Sequence, residues 1–374
     1  MNENTISNWD NTDHKAIYTR QLAENPVYYN EDLKLRVTYS YEYCKAILTN
    51  DDARIPEPVI ENDSPLNDIA KLLIKKLARI TNNKQHQESR QAALIIYQCI
   101  KPVPVDGLLE NLLAKIPLYG FDWVEAVGKR LPVLLILKGM GFAETECDYV
   151  VENISSLVRV MSPNKTADDV TAINKVVNEF YEIAIRYVKT KFPNYLSENI
   201  ELFAFNLLGL FIQCYDAGRG LLCNALINMV TYHQDWKMYS GDKAYFKRLI
   251  TETLRFDPPV HNTRRVAVKD ILIGSQLIKA GEQIMVIMAA ANLDPSVFEK
   301  PELYNTFRSN NEQHITFGLG GHNCIAKYLT IDIVVDTCSY LANKYEHIAL
   351  LQQEFKYEAA LNVRLVKELT IKLS

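Results

Sequence analysis

The sequence predicts a mainly α chain with a small β region, and three observations carry that expectation. Ile200 to Tyr232 is apolar on nearly all sides, the pattern of a helix at the centre of a large domain. A second apolar run recurs at helical spacing through Ala326, Leu329, Ile333, Val334, Cys338, Leu341 and Ala342. Strand-like runs are short by contrast: Leu35 to Tyr39, segments rich in Ile and Val around Gly274-Ser275 and Ala280-Gly281-Glu282, and the alternating end Asn362 to Ser374.

In chain order, Met1 to Asp10 is polar, without the basic and apolar blocks of a signal peptide. Asp13 to Glu24 has a helical pattern with Ile17, Leu22 and Ala23 apolar, and Asn25-Pro26 ends it because the residue before proline is pushed out of the α region. Tyr41 to Leu48 follows as a helix, and Asp51 to Asp63, with Pro56 and Pro58, as a loop. Leu131 to Gly141 ends in K-G-M-G-F, a helix with a glycine stop, and the helices to about Lys191 alternate apolar and charged faces. Gly209, Gly218 and Gly220 interrupt the long apolar run. A helix carrying Thr251 to Arg255 stops at Asp257-Pro258-Pro259, and Asn362 to Ser374 reads as a closing hairpin with its turn at Val363 to Leu365. No repeat, low-complexity segment or linker separates these parts, so residues 1–374 are expected to form one domain.

Composition narrows the function. A net charge of -4 and a pI near 6.0 give no reason to expect nucleic acid, which demands a basic face. Seven cysteines (Cys44, Cys99, Cys147, Cys214, Cys223, Cys324, Cys338) are scattered, odd in number and never in C-x-x-C, which fits a reducing cytoplasm without a disulfide framework. No apolar run approaches the roughly 18 residues of a membrane span, so none is expected.

The chemistry concentrates in Phe317 to Ala326. Gly318, Gly320 and Gly321 make a loop that can take positive φ and bring backbone close to a flat partner. Cys324 then falls where a helix begins, and backbone N–H groups with the positive end of the helix dipole stabilise a thiolate there. That is how a protein holds an axial sulfur ligand to haem iron. A cysteine at a helix start is also an ordinary small hydrophobe. His322 with Cys324 could be half of a zinc site, but no second Cys or His pair stands at finger-like spacing.

The whole string F-G-L-G-G-H-N-C-I-A resembles the haem-binding loop of the cytochrome P450s, F-G-x-G-x-H-x-C-x-G, departing at Ala326. The resemblance implies the cytochrome P450 fold, a long central helix over a buried haem b, with Cys324 as metal ligand and Phe317, Gly318 and His322 beside the cofactor. His86 and Arg90, in H-Q-E-S-R, share one helix face and match the pair that holds haem propionates; taken alone they are ordinary surface residues. Arg265, in the strand after T-E-T-L-R-F-D-P-P, matches a further propionate ligand, and a guanidinium fork suits a carboxylate. Glu252 and Arg255 match the family's E-x-x-R, A-A-N-L-D-P-S-V-F matches A-A-N-R-D-P-x-x-F, and Arg308 completes a Glu-Arg-Arg network bracing the cysteine loop.

The long helix departs from the family pattern. Matched without gaps, Q-C-Y-D-A-G-R-G places Asp216 on the acid of the acid-alcohol pair that delivers protons during oxygen activation, and Ala217 where threonine is usual. Asp216 could instead pair with Arg219, and a register sliding Ala217-Gly218 onto the common Ala-Gly needs four deleted residues before Glu252. By resemblance Gln213, Cys214, Ala217, Val260, His261, Asn262 and Val363 face the substrate. For His261 a haem contact is the rival role.

The resemblance implies a monooxygenase of the bacterial, unanchored kind. It would receive electrons from a ferredoxin-type donor and tailor a secondary metabolite, a polar small molecule that is amino-acid-derived or carrier-bound. Lys300 and Lys327 are candidates for the docking face or plain surface charge. Ala217 motivates a second reading, coupling, cyclisation or desaturation without oxygen insertion. A third is a haem-binding module without catalysis.

Overall fold

Side chains placed by the sequence fix where helices begin. The Asp13 carboxylate accepts from Ala16 N at 3.0 Å, Asn67 from Ala70 N at 2.8 Å, and Thr166 and Asp169 satisfy each other's backbone N–H groups as a capping box. The computed structural model describes residues 13–61, 63–162, 164–193, 199–233 and 235–374; the polar start Met1 to Asp10 lies outside them. The first half runs α1 (His14–Glu24), β1 (Val27–Asn30), β2 (Leu35–Thr38), α2 (Tyr41–Leu48), β3 (Ala53–Arg54), α3 (Asp68–Lys76), α4 (Asn83–Tyr97), α5 (Val105–Leu113), β4 (Tyr119–Asp122), α6 (Leu131–Met140), α7 (Glu144–Val158) and α8 (Ala167–Lys191). The second runs α9 (Ile200–Tyr232), α10 (Lys243–Phe256), β5 (Thr263–Ala267), β6 (Ile271–Ile273), β7 (Gln276–Ile278), β8 (Gln283–Val286), α11 (Met288–Ala291), α12 (Lys327–Lys344), β9 (Ile348–Leu350) and β10 (Thr370–Leu373).

Two compact units emerge from the packing. One takes Met1–Arg54, Pro104–Lys129 and Asp216–Ser374, the other Ile55–Val103 and Arg130–Tyr215, so α9 contributes to both. In the first unit a five-stranded sheet has the order β1-β2-β8-β5-β3, with β2 and β8 parallel and the other neighbours antiparallel. Alternation along β8 sorts its two faces. Ile284 and Val286 join Cys44, Ile47 and Leu48 of α2 in a cluster that includes Ile315, at the entry to the glycine-rich loop, while Met285 packs with Tyr18, Tyr39 and Phe256. Arg265 pairs with Ile284, so it stands on the face that meets that loop.

The closing hairpin is corrected. β10 pairs antiparallel with β4 and β9, and the run Val363 to Val366 makes only single bridges, Val363 to Val260 and Val366 to Tyr357. Lys367-Glu368 offers no residue suited to the positive φ of a tight two-residue return, so the two alternating runs do not fold onto each other. Gly274 does turn β6 into β7, at φ 56°.

The second unit packs α3, α4, α6, α7, α8 and the start of α9. Phe142 stacks on Tyr187 at 4.6 Å, and the buried Asn206 side chain of α9 accepts from Ala78 N at 3.0 Å. The glycines do not break α9, which is one continuous helix. Contrary to the expectation from the sequence, α9 is long and apolar enough to cross a membrane by length and composition, at mean hydropathy 1.3; 61% of that window is buried, as in a core helix.

Candidate active site

The cysteine loop is anchored before it begins. Asn292, fully buried after α11, accepts from Ile315 N at 2.8 Å and donates to Thr316 Oγ1 at 2.8 Å, while Thr316 Oγ1 donates to the Leu254 carbonyl of α10 at 2.6 Å. Thr316 N donates to His314 Nδ1 at 3.3 Å, so that nitrogen is the acceptor and the ring is neutral. Within the loop, Gly318 N reaches Ile315 O, and Cys324 N reaches Phe317 O, each at 2.9 Å. Gly320 sits at φ 68°, where a Cβ would also lie 2.6 Å from the Leu48 carbonyl oxygen. Glycine is required there on both counts.

These bonds hold Cys324 exposed, three residues before α12, whose N-cap Ala326 supplies no side-chain acceptor. The first-turn N–H groups and the helix dipole of α12 therefore favour an anion nearby. Cys44, Cys223 and Cys338 are the contrast: burial pushes each thiol up to about 12, the state of an inert core cysteine.

Glu252, Arg255 and Arg308 come together behind the loop. Glu252 and Arg255 are both 0% exposed and pair through Oε1 at 2.7 Å and Oε2 at 3.0 Å. Arg255 also donates to the carbonyls of Asn292, Pro301 and Leu303, and Glu252 accepts from Asn305 N at 3.0 Å. Arg308 reaches Glu252 Oε1 at 3.4 Å and donates to the Lys300 carbonyl at 3.1 Å. The network thus ties α10 to the segment 292–308 that leads into the cysteine loop. Such a pair holds geometry, because burial makes each charge dependent on the other.

Arg265 provides the fit test for an acidic flat cofactor. Its guanidinium is buried, which pushes it down to about 10, and its bonds go to Thr263 Oγ1 and the Arg264 carbonyl; among the described residues no carboxylate pairs with it. A buried guanidinium facing an exposed thiol's loop, with no acid of its own, suits a ligand that brings carboxylates. Phe317, Gly318 and His322 are half-buried in the same loop. His86 and Arg90 belong to the other unit, half-buried on one face of α4, with His86 Nδ1 2.8 Å from the Ala78 carbonyl.

Within the mostly buried α9, Gln213 is exposed and Cys214, Asp216 and Ala217 are half-buried, while Tyr215 between them is buried. Gln213 donates to Gly209 O at 2.9 Å, and Cys214 Sγ to Phe211 O at 3.2 Å. Asp216 takes the pairing the sequence left open, accepting from Arg219 Nε at 3.0 Å and Nη2 at 2.8 Å. Arg219 also grips Glu358 at 2.8 and 2.9 Å, a partner that sequence spacing could not supply.

Val260 and Val363 bridge each other, and Asn262 donates to the Leu361 carbonyl at 2.8 Å. His261 departs from the expected pocket-facing role. It is 0% exposed, its Nδ1 lies 2.9 Å from the Tyr18 hydroxyl, and its ring meets His14 edge-on, so packing against α1 occupies the side chain. Burial holds both imidazoles well below the usual histidine value. His14, His261 and Asp257 have ligand atoms within 4.8 Å of one another, but Asp257 already pairs with Arg364 at 3.0 Å; Cys324 is in no such group among the described residues.

Two contributors carried no assigned role in the sequence reading, although their motif was legible. Asn292 tethers the loop as described, and Asp294 accepts from Tyr41 N at 2.8 Å, holding the start of α2. Their signal was the A-A-N-L-D-P string; what they bond could not be read from it.

Comparison with known proteins follows the same lines. A family model described as Cytochrome P450 matches residues 242–331, which span α10 to the start of α12. The chain is 28% identical over 326 residues to Cytochrome P450 119 of Sulfurisphaera tokodaii, covering 82% of this chain and 86% of that one. It is 23% identical over 385 residues to the biotin biosynthesis cytochrome P450 of Bacillus subtilis, covering 95% of each. The crystal structure of P450BioI in complex with hexadec-9Z-enoic acid ligated acyl carrier protein matches with TM-score 0.83 at 20% identity, over 97% of this chain and 98% of that one, a likeness of fold.

Proposed function

We propose that, in this member of the cytochrome P450 superfamily and haem b oxidoreductase, Cys324 would supply the thiolate that holds the haem iron and the protein inserts oxygen into a small organic substrate of biosynthesis. When bound, the haem would supply oxygen activation, and the Cys324 thiolate would lend it electron density. The observation that carries the reading is the exposed Cys324, fixed by its N–H to Phe317 O in front of α12. Arg265 would hold a propionate, and the resemblance adds His86 and Arg90 as further propionate ligands. Phe317, Gly318 and His322 would contact the cofactor. Glu252, Arg255 and Arg308 keep the loop in register with α10.

Ala217 offers no hydroxyl, so the proton-carrying water near it is held by the substrate or by backbone, and Asp216 is oriented by Arg219. Gln213, Cys214 and Asn262 contribute hydrogen-bonding capacity beyond what an alkyl tunnel needs, and Val260 and Val363 contribute apolar contact. The substrate is accordingly polar, amino-acid-derived or delivered on a carrier. The acyl carrier protein complex of P450BioI supports delivery on a carrier. A ferredoxin-type protein donates the electrons. The test is the ferrous carbon monoxide difference spectrum of purified protein: the red-shifted thiolate band is expected, and its absence would sink the reading.

Ala217 favours a second reading, coupling, cyclisation or desaturation without oxygen insertion. Turnover under labelled dioxygen separates the two. Label in the product supports the monooxygenase, and an unlabelled product of full turnover supports the other.

A further inference from the structure

Arg219 stands in a helix whose neighbours are almost all apolar, and its side chain is only 6% exposed. A guanidinium placed so is tolerated when its donors are matched. Here two carboxylates from distant parts of the chain match them. Nε and Nη2 donate to Asp216 Oδ1, one turn back on α9, and Nη1 and Nη2 fork onto Glu358 Oε1 and Oε2 at 2.8 and 2.9 Å. Glu358 begins the C-terminal loop, and its own N–H donates to the Leu365 carbonyl at 2.9 Å, so the fork grips the base of the turn 358–365.

The next residue adds shape to charge. A Cβ on Gly220 would lie 2.6 Å from Pro259 Cβ and 2.7 Å from Leu365 Cδ2, so α9 is in direct contact with both ends of the structure that the turn closes on. From that base the turn is laced to the segment after α10: Arg364 N to Pro259 O at 2.8 Å, His261 N to Asn362 O at 2.9 Å, Asn262 Nδ2 to Leu361 O at 2.8 Å, and the Val260 to Val363 bridge.

We propose that Arg219 is a positioning residue that fixes the Asp216 carboxylate and the turn 358–365 in one arrangement, so that a charge on α9 sets where Val363 stands against Val260 and Asn262. Arg219 thereby determines which ligands the proposed pocket admits. Asp216 and Glu358 are 28% and 36% exposed, and with Arg219 they sum to one negative charge, which disfavours a free carboxylate on the ligand at this wall. The ligand-binding part of the test rests on the proposed haem-thiolate function; the part read by hydrogen exchange does not.

Haem-loaded wild type is compared with Glu358→Gln, at a partly exposed position where the core stays intact, and with Arg219→Lys, which keeps the charge but loses the fork. Amide exchange across residues 357–366 is expected to rise about threefold or more in Glu358→Gln, with α10 unchanged. Affinity for 4-phenylimidazole, read from the Soret band, is expected to fall about threefold in the same variant while cyanide binds as in wild type. Arg219→Lys should show both changes as well. Unchanged exchange in both variants overturns the proposal. So does a looser turn with unchanged 4-phenylimidazole affinity, since the ion pair would then serve stability alone. The carbon monoxide band is recorded first on each sample: its absence from wild type counts against the haem reading, and the exchange comparison still decides whether Arg219 holds the turn.

Discussion

Cys324 differs from the other six cysteines in one physical respect that matters, an exposed sulfur near the start of a helix. Cys324→Ser replaces a soft, easily ionised sulfur, the proposed ligand, with a hydroxyl that stays protonated near neutrality. The variant is expected to fold, lose the thiolate signature of the ferrous carbon monoxide complex and lose turnover; Cys99→Ser, at a half-buried position in the other unit, should keep both. A wild-type band in Cys324→Ser would reassign the ligand. Single residues were legible in the sequence where a motif spelled them out, as at Glu252 and Arg255. Partners were not: nothing in E-x-x-R says that Arg255 also holds the Asn292 and Leu303 carbonyls, and Glu358 is 139 residues from the arginine it grips. Long-range hydrogen bonds depend on where elements finally pack, which one local string does not contain.

At the level of elements, helices were read well because periodicity and end signals are local: α2 has the bounds its pattern gave, and α1 starts after the Asp13 cap. The C-terminal strand was misread because its partners, β4 and β9, are chosen by burial of Ile371 and Leu373 rather than by the alternation beside it. The cysteine loop and its brace make two predictions. Gly320→Ala meets the Leu48 carbonyl and a positive φ, and should cost about 1–3 kcal/mol and reduce haem retention. Gly107→Ala, inside α5 with open space around it, should gain up to about 1 kcal/mol from helix propensity alone. Equal denaturation midpoints for the two variants would refute the strain argument. Glu252→Gln leaves Arg255 charged and buried against a neutral amide, so a loss of roughly 3–5 kcal/mol is expected in urea unfolding. Retained stability there would mean that the backbone carbonyls alone satisfy the guanidinium.

Across the whole molecule, three buried histidines set an acid limit on stability. Burial lowers His14 and His261 well below the usual value and brings His314 to about 3, with Lys327 and Arg255 adding to the last. Each ring is uncharged in the folded chain and takes a proton near pH 6.5 once unfolded. Below pH 6.5 the unfolded state therefore binds more protons, and stability falls as pH is lowered, by about 1.4 kcal/mol per pH unit for each histidine until its folded pKa is reached. Above pH 6.5 the contribution is complete and flat. Asp169 and Asp270, held low chiefly by backbone N–H donors, sit at the surface and act only below the ordinary carboxylate range. His314 has the most direct link to function, because Thr316 N donates to its Nδ1 at the entry to the cysteine loop, and a proton on that nitrogen removes the acceptor. Urea midpoints of the haem-loaded protein at pH 7.5, 6.5 and 5.5 should be level across the first step and drop across the second. His314→Asn, which keeps an acceptor but no titrating group, should make the second step shallower and hold the thiolate band to lower pH. If its midpoint falls as steeply as that of the wild type, His314 takes up its proton alike in the folded and the unfolded chain, and the loop is held by Asn292 alone.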